Sequence, residues 1–399
     1  MPSSAPPSQR VAAVDFLRGL VMVVMVLDHA RDFVHRDGLT RDPTDPATTN
    51  LALFATRFVT HFCAPLFVLL AGVAARLRLQ RRADRGELAG YLARRGVFLI
   101  ALELLVLRPL IWFNLDYGFL AHLQVIWAIG WSMLALAGLA WLPASLLGGL
   151  GLLLVAGHNL FAHATFSLAR VPSWRALEVV LHHKGGLQFG NGSVAFVQYP
   201  LIPWVGVLLL GFWLGGVYAW SAGSRRRALL AAGVGASFLF LLLRGFNTYG
   251  DPAPWSTHDT WSATLFSFLR VEKYPPSLHF LLMTLGPGLV ALAVLDGNRA
   301  TTGAGWFTGI GRAPLFFYVL QWPAVHLVSR LFQLVAGQPL GWDAPNPIRL
   351  GGALPRGCGF SLPIVYLAWA LCLAVLVPLT MGFARFKRAH PQWRWLAYV

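Results

Sequence analysis

Apolar residues along this chain come in blocks of membrane length, separated either by short basic stretches or by longer polar ones. Windows approaching the roughly 20 apolar residues that a bilayer core requires fall at about 11–30, 57–76, 93–111, 120–141, 144–163, 200–220, 228–245, 277–296, 312–335 and 361–383. An open sheet cannot cross lipid with its edge unpaired, so every block is read as a helix. The pattern predicts an all-α, polytopic integral membrane protein of about ten transmembrane helices. No polar block is large enough to be a soluble domain. The organisation is a tail at 1–10, one membrane domain at 11–383 and a basic tail at 384–399.

The first block, VAAVDFLRGLVMVVMVLDHAR, is the most informative. At about 100° per residue, Asp15, Arg18, Met22, Met25 and His29 share a face. Arg18 and His29 lie roughly 16 Å apart at about 1.5 Å of rise per residue. Ionisable groups inside a membrane segment are costly and usually face an interior path or site. The apolar core runs on into Asp28-His29 rather than a small-residue cleavage site, so the segment is read as retained.

Composition agrees. The 399 residues are 56% hydrophobic and 12% charged, against roughly 25% charged in soluble domains. Sixteen Trp and 27 Phe suit interfacial aromatic belts. A net charge of +16 would suggest nucleic acid in a soluble chain. Here the cations sit in loops between apolar blocks, with no interleaved basic and aromatic surface, and no nucleic-acid partner is expected. The short loops carrying Arg76, Arg78, Arg81, Arg82, Arg85, Arg94 and Arg95, and then Arg225, Arg226 and Arg227, put both termini in the cytoplasm. The expected location is the cell (inner) membrane, multi-pass. Cys63, Cys358 and Cys372 form no CxxC pair, which argues against a disulfide framework and a thiolate zinc site.

With that orientation, every histidine of the twelve except His390 falls at an outer helix end or in an outer loop. Histidine as a generic interfacial residue would populate both sides, so the asymmetry points to proton handling or chemistry at the outer face. His29, beside Asp28 and Asp32, is the leading candidate general base, although Asp28 lies about 100° round the helix from it. In the second block Arg57, His61, Pro65, Gly72 and Arg76 share a face, with Pro65 freeing a carbonyl near His61; a kinked helix with a satisfied histidine fits these residues almost as well. In the ninth block Arg312, His326 and Arg330 repeat the pattern of inner arginine and outer imidazole. Glu103, alone in an apolar run, should face the interior with an Arg or His partner. A divalent metal on His29, His61 and a carboxylate lacks supporting spacing, and none is expected. The basic loop at 76–95 suits phosphates as well as topology.

The series VDFLRGLVMVVMVLDHARDF, THFCAPLFVLLAG, YPLIPWVGVLLLG, KYPPSLHFLLMTLGP, GRAPLFFY and RWLAYV resembles the bacterial DUF1624 family, which is similar to the catalytic domain of heparan-α-glucosaminide N-acetyltransferase. The D-x-x-R-G start, with a histidine eleven residues after the arginine, also resembles the broader transmembrane acyltransferase superfamily. The resemblance implies an enzyme that passes an acetyl group from cytosolic acetyl-CoA to an amino sugar or other glycan across the membrane. On it, Arg18, Arg76 and Arg312 would hold the CoA phosphates. His29 would deprotonate the acceptor or carry the acyl group, with His61 and Asp28 assisting. The lysosomal enzyme's proposed catalytic histidine lies in the loop beyond its first span, and that loop differs in length here, so His29, His35 and His61 compete for the role. The acceptor and the oligomeric state, including a homo-oligomer, are left open. The rival reading is a proton-coupled transporter without covalent chemistry, for which ten spans and intramembrane charges also fit; binding of acetyl-CoA separates the two.

Overall fold

The computed structural model describes residues 11–161, 172–297, 305–343 and 358–398; the tail 1–10 and His163 lie outside them. Every one of the ten apolar blocks contains helix among the described residues, and further short helices lie between the blocks. In chain order these are α1 (Ala12–Val34), α2 (Leu51–Thr60), α3 (Cys63–Arg82), α4 (Arg85–Leu102), α5 (Arg108–Trp112), α6 (Val125–Leu139), α7 (Ala144–Gly157), α8 (Pro172–Leu181), α9 (Leu201–Leu214), α10 (Ala222–Phe246), α11 (Trp261–Leu269), α12 (Leu278–Leu295), α13 (Trp306–Arg312), α14 (Pro314–Val335) and α15 (Leu362–Ala389). Six helical stretches are long and apolar enough to cross a membrane: 51–82, 201–219, 222–246, 278–295, 314–335 and 362–389. The protein is therefore mostly helical with six candidate membrane-spanning helices. Helix α1 is long enough, but its charges set it apart.

Three features depart from uniform helices. The second block breaks at His61–Phe62 into α2 and α3. Pro65 lies in the first turn of α3, where its missing N–H leaves no helical bond unmade. The ninth block breaks at Ala313, ahead of Pro314, so Arg312 and His326 belong to different helices. The structure is also not purely helical. Strands β1 (Phe119–Leu123), β2 (Gly185–Gln188) and β3 (Val194–Val197) form a sheet in the order β1-β3-β2, with β1 parallel and β2 antiparallel to β3. The fourth block thus begins with a strand and turns helical only at Val125.

Helices α1, α3 and α9 form the centre. In the window of 51–82 that could cross a membrane 72% is buried, against 22% for α10 and for α15, which present long apolar faces outward. Helix α13 lies across the first half of α1 at a distance only glycine permits: a Cβ on Gly19 would collide with the Phe307 carbonyl, and one on Gly311 with the Asp15 carbonyl. Arg18 seals this crossing, donating to the carbonyls of Gly311 and Leu70, each at 3.2 Å. Glu103, buried in a π-helical turn at 103–107, accepts from the backbone N–H of Gln124 at 3.4 Å and of Trp127 at 3.2 Å. Its partner is the N-terminus of α6, not the expected Arg or His; free N–H groups at a helix start attract a carboxylate.

Candidate active site

Helix α1 connects two cavities. At its N-terminal end a cavity of about 440 Å³ is lined by Asp15, Arg18, Arg78, Arg81, Arg82, Arg95, Arg312 and Lys387, together with apolar residues of α3, α4 and α6. Asp15 is the one carboxylate in that lining. Val11 and Lys387 line it together, so both described ends of the chain reach the same side of the molecule. Some of the cations are engaged. Arg78 pairs with Glu87 at 3.2 Å and lies over the Tyr91 ring at 3.9 Å. Arg312 is 3.8 Å from Asp15. Arg82 is 3.7 Å from Glu87 and Arg95 donates to the Tyr91 hydroxyl, yet guanidinium groups outnumber carboxylates in the lining, a balance suited to a polyanion.

At the other end of α1 a cavity of about 300 Å³ is lined by Met25, Asp28, His29, Arg31 and Asp32 of α1, Arg57 and Thr60 of α2, Cys63 and Ala64 of α3, and Lys273, Tyr274, Tyr318 and Trp322. Adjacent residues divide between the two spaces. Ala64 lines one and Phe67 the other, as do Val125 and Ile126, and Tyr318 and Leu315. The partition between them is one helical turn or less along α3, α6 and α14 and about two turns along α1, where Met22, fully buried, lies between Arg18 and Met25. The face of α1 read from helical spacing is thus the face turned to both cavities.

His29 packs against Trp322 at 3.9 Å between ring centroids with the rings tilted by 38°, and its buried Nε2 has no hydrogen-bond partner among the described residues. Asp28 does not orient it. One Arg57 nitrogen is 2.7 Å from each Asp28 oxygen, Arg31 donates at 2.9 Å and Thr60 at 2.8 Å, and the Lys273 ammonium lies 3.9 Å away. Arg31 also donates to Asp32 at 2.6 Å. Asp28 therefore serves as counter-ion to three cations. Opposite, the sheet delivers His122, which accepts at Nδ1 from Trp112 and Gln124 and faces Gln198 at Nε2 across 2.5 Å. The acceptor role of Nδ1 places the proton on Nε2. Beside it, burial alone would raise the Tyr274 phenol, but Lys273 and Arg57 hold it below the ordinary tyrosine value.

The other expected site residues lie elsewhere. His61 caps the end of α2, packed edge-on to Phe280 at 5.5 Å and outside the cavity lining. Arg76 packs over Phe212 at 5.3 Å, outside the basic cavity; Arg78, Arg81, Arg82 and Arg95 occupy the position expected of it. His35 accepts from the Asp37 N–H and edges a narrow crevice beside Arg31, and burial holds its imidazole below the ordinary histidine value. His326 is fully buried, bonded to Asp343 and to the Ile111 carbonyl at 2.9 Å each, and lines neither cavity. Among the described residues no His, Cys, Asp and Glu group has the arrangement to hold a metal.

Sequence reasoning passed over Lys273, Tyr274, Trp322 and the pair His122 and Gln198. Lys273 carried a signal: it is one of three lysines, with Lys184 and Lys387, in a chain whose cations are otherwise arginine. His122 stood among the outer-face histidines without being singled out, and the rest carried none, being aromatic or amide residues in an aromatic-rich chain.

A search among curated proteins finds no match. The family model described as heparan-alpha-glucosaminide N-acetyltransferase, catalytic, matches residues 10–248. That stretch includes the whole of α1 and the arginines of α3 and α4, while Lys273, Arg312, Trp322 and Lys387 lie beyond it. Since the match spans more than half of the 399 residues and takes in most of both cavities, the chain belongs to the heparan-alpha-glucosaminide N-acetyltransferase catalytic family, a family of membrane acetyltransferases.

Proposed function

We propose that this protein moves an acyl group, acetyl by its family, from cytosolic acyl-CoA to a sugar or glycan acceptor at the opposite membrane face. The phosphates of CoA occupy the basic cavity, held by Arg18 and Arg312 with Arg78, Arg81, Arg82 and Arg95. The pantetheine arm follows α1 through the thin partition and brings the thioester to His29. His29 takes the acceptor's proton as general base. The membrane domain is 11–383, with ten crossings and both termini cytoplasmic; Val11 and Lys387 lining one cavity suits an even number of crossings.

The observation that carries this reading is that a single helix reaches an arginine-lined cavity at one end and presents an imidazole with an unpartnered buried Nε2 to a second cavity at the other, with one to two turns of packing between the two spaces. Family membership supplies the donor chemistry. In purified protein, His29→Ala is expected to lower turnover of labelled acetyl-CoA by about 10²–10⁴-fold with acetyl-CoA still bound. Unchanged turnover removes His29 from the mechanism. A wild-type protein that binds no acetyl-CoA at all is instead a carrier.

A further inference from the structure

The cavity around His29 contains one cation whose donors the protein does not take up. Arg57 and Arg31 are committed to Asp28 and Asp32 at 2.6–2.9 Å. Lys273 lines the same cavity and is 7% exposed, yet its nearest carboxylate oxygen is 3.9 Å away, beyond hydrogen-bond distance. Its ammonium donates no hydrogen bond to any described residue. An ammonium carries three donors, and these stay accessible from the cavity, with the Tyr274 ring 5.2 Å from the nitrogen and no acceptor among the described residues within bonding distance. A ligand in the cavity can supply one. The same cavity holds the unpartnered Nε2 of His29. Two polar groups of complementary kind thus face one space, a base and a cation with donors to give, while the arginines are bonded to Asp28 and Asp32.

Resting on the acyl-transfer reading above, we propose that Lys273 is a further catalytic residue, whose ammonium stabilises the oxyanion formed on the thioester carbonyl. As His29 takes the proton from the acceptor O–H or N–H, the acceptor's lone pair bonds to the carbonyl carbon. The C=O π pair moves onto oxygen, which becomes the anion beside Lys273. That pair then returns, the C–S bond breaks, and the proton held by His29 passes to the leaving thiolate. The products are acylated acceptor and CoA thiol, and Lys273 keeps its protons throughout. A preformed donor in a water-poor site is worth most where charge develops. Asp28 is then a positioning residue, keeping two guanidinium groups from repelling the ammonium.

The test compares Lys273→Met with wild type in detergent. The expected result is a kcat lower by about 10²–10³-fold, with the acetyl-CoA dissociation constant unchanged within about twofold because the phosphates bind at the other end of α1. A folded Lys273→Met protein with wild-type kcat overturns the assignment, and so does one whose loss lies entirely in acetyl-CoA binding. Should this variant not fold, carbamoylation by cyanate replaces it, in a Lys184→Arg, Lys387→Arg background where Lys273 carries the one lysine ε-amine. Carbamoylation turns the ammonium into a neutral urea. Loss of turnover in step with modification supports the proposal, and full turnover of the carbamoylated protein sinks it. An active wild type with an active Lys273→Met removes this inference alone. A wild type inactive toward acetyl-CoA removes the acyl-transfer reading beneath it.

Discussion

A buried imidazole either satisfies its ring nitrogens within the fold or is held ready for a ligand. His326 is of the first kind. Its Nδ1 meets Asp343 and its Nε2 meets the Ile111 carbonyl. Asp343 is itself bonded by Gln333 at 2.9 Å and paired with Arg330 at 3.0 Å. His29 is of the second kind, with its ring tilted against Trp322 and no bond at Nε2 among the described residues. Their alanine variants should separate on stability. His326→Ala leaves a buried carboxylate without its main partner and is expected to cost about 3–5 kcal/mol. His29→Ala is expected to stay within about 0.5 kcal/mol of wild type. Denaturant unfolding in detergent, followed by tryptophan fluorescence, checks both. The two histidines look alike in the sequence, each standing close to a whole number of turns, about three and about four, beyond an arginine at one end of an apolar block. What separates them is Asp343, in a loop that folds back from 17 residues away, and a carbonyl from another helix. Neither is written in local spacing, whereas the inward face of α1 is, because helical geometry alone determines it.

Helix ends hold the local decisions. Glu103 reaches two free N–H groups at the start of α6, and the π-helical turn around it sets the carboxylate at their level. The acceptor is what α6 needs here. Glu103→Gln keeps one and is expected to cost less than about 1 kcal/mol, whereas Glu103→Leu leaves buried donors unmet and should cost about 1–3 kcal/mol. Thermal unfolding of the two variants side by side distinguishes capping from a catalytic role, since a catalytic carboxylate would lose turnover in both. Apolar length made the ten helical blocks legible, and Pro65 and Pro314 were available as signs of the two breaks. The sheet was not legible. Its strands are four or five residues long, β2 is half glycine, and the pairing of His122 with Phe196 joins segments separated by α6, α7 and α8. Strand formation there depends on a partner remote in sequence, which local pattern cannot express.

At the scale of the whole molecule, the segment between α1 and α2 closes the His29 cavity like a strap. Gly38, Leu39 and Pro43 form part of the cavity wall. One end of the strap is fixed by close packing, for a Cβ on Gly38 would collide with the carbonyls of Arg31 and Asp32. Its middle is held by Arg270, 2.8 Å from Asp42 and 3.9 Å from Asp45. Both partners of the shorter pair are nearly half exposed, at 45% and 46%, so salt screens the pair and it contributes no more than about 1 kcal/mol. That suffices to change the open fraction of the strap by about fivefold. Cys63 lies beneath it as a native reporter in the cavity. Arg270→Gln is expected to raise the rate of Cys63 labelling by a water-soluble maleimide up to about fivefold at low salt, and high salt should bring wild type to the variant's rate. Mild acid should not mimic the variant. Burial alone would raise the Asp42 carboxyl, but bonds from Thr44 and the Arg270 charge hold it below the ordinary carboxylate value. A carboxylate depressed in the folded state contributes fully above its unfolded value and loses that contribution only as pH falls through the folded one. Relative to the variant at the same pH, which cancels the thiol's own titration, wild-type labelling should therefore stay flat from neutrality down to the ordinary carboxylate range and rise only below it. A rise near pH 6 would mean that a different group, and not Asp42, holds the strap.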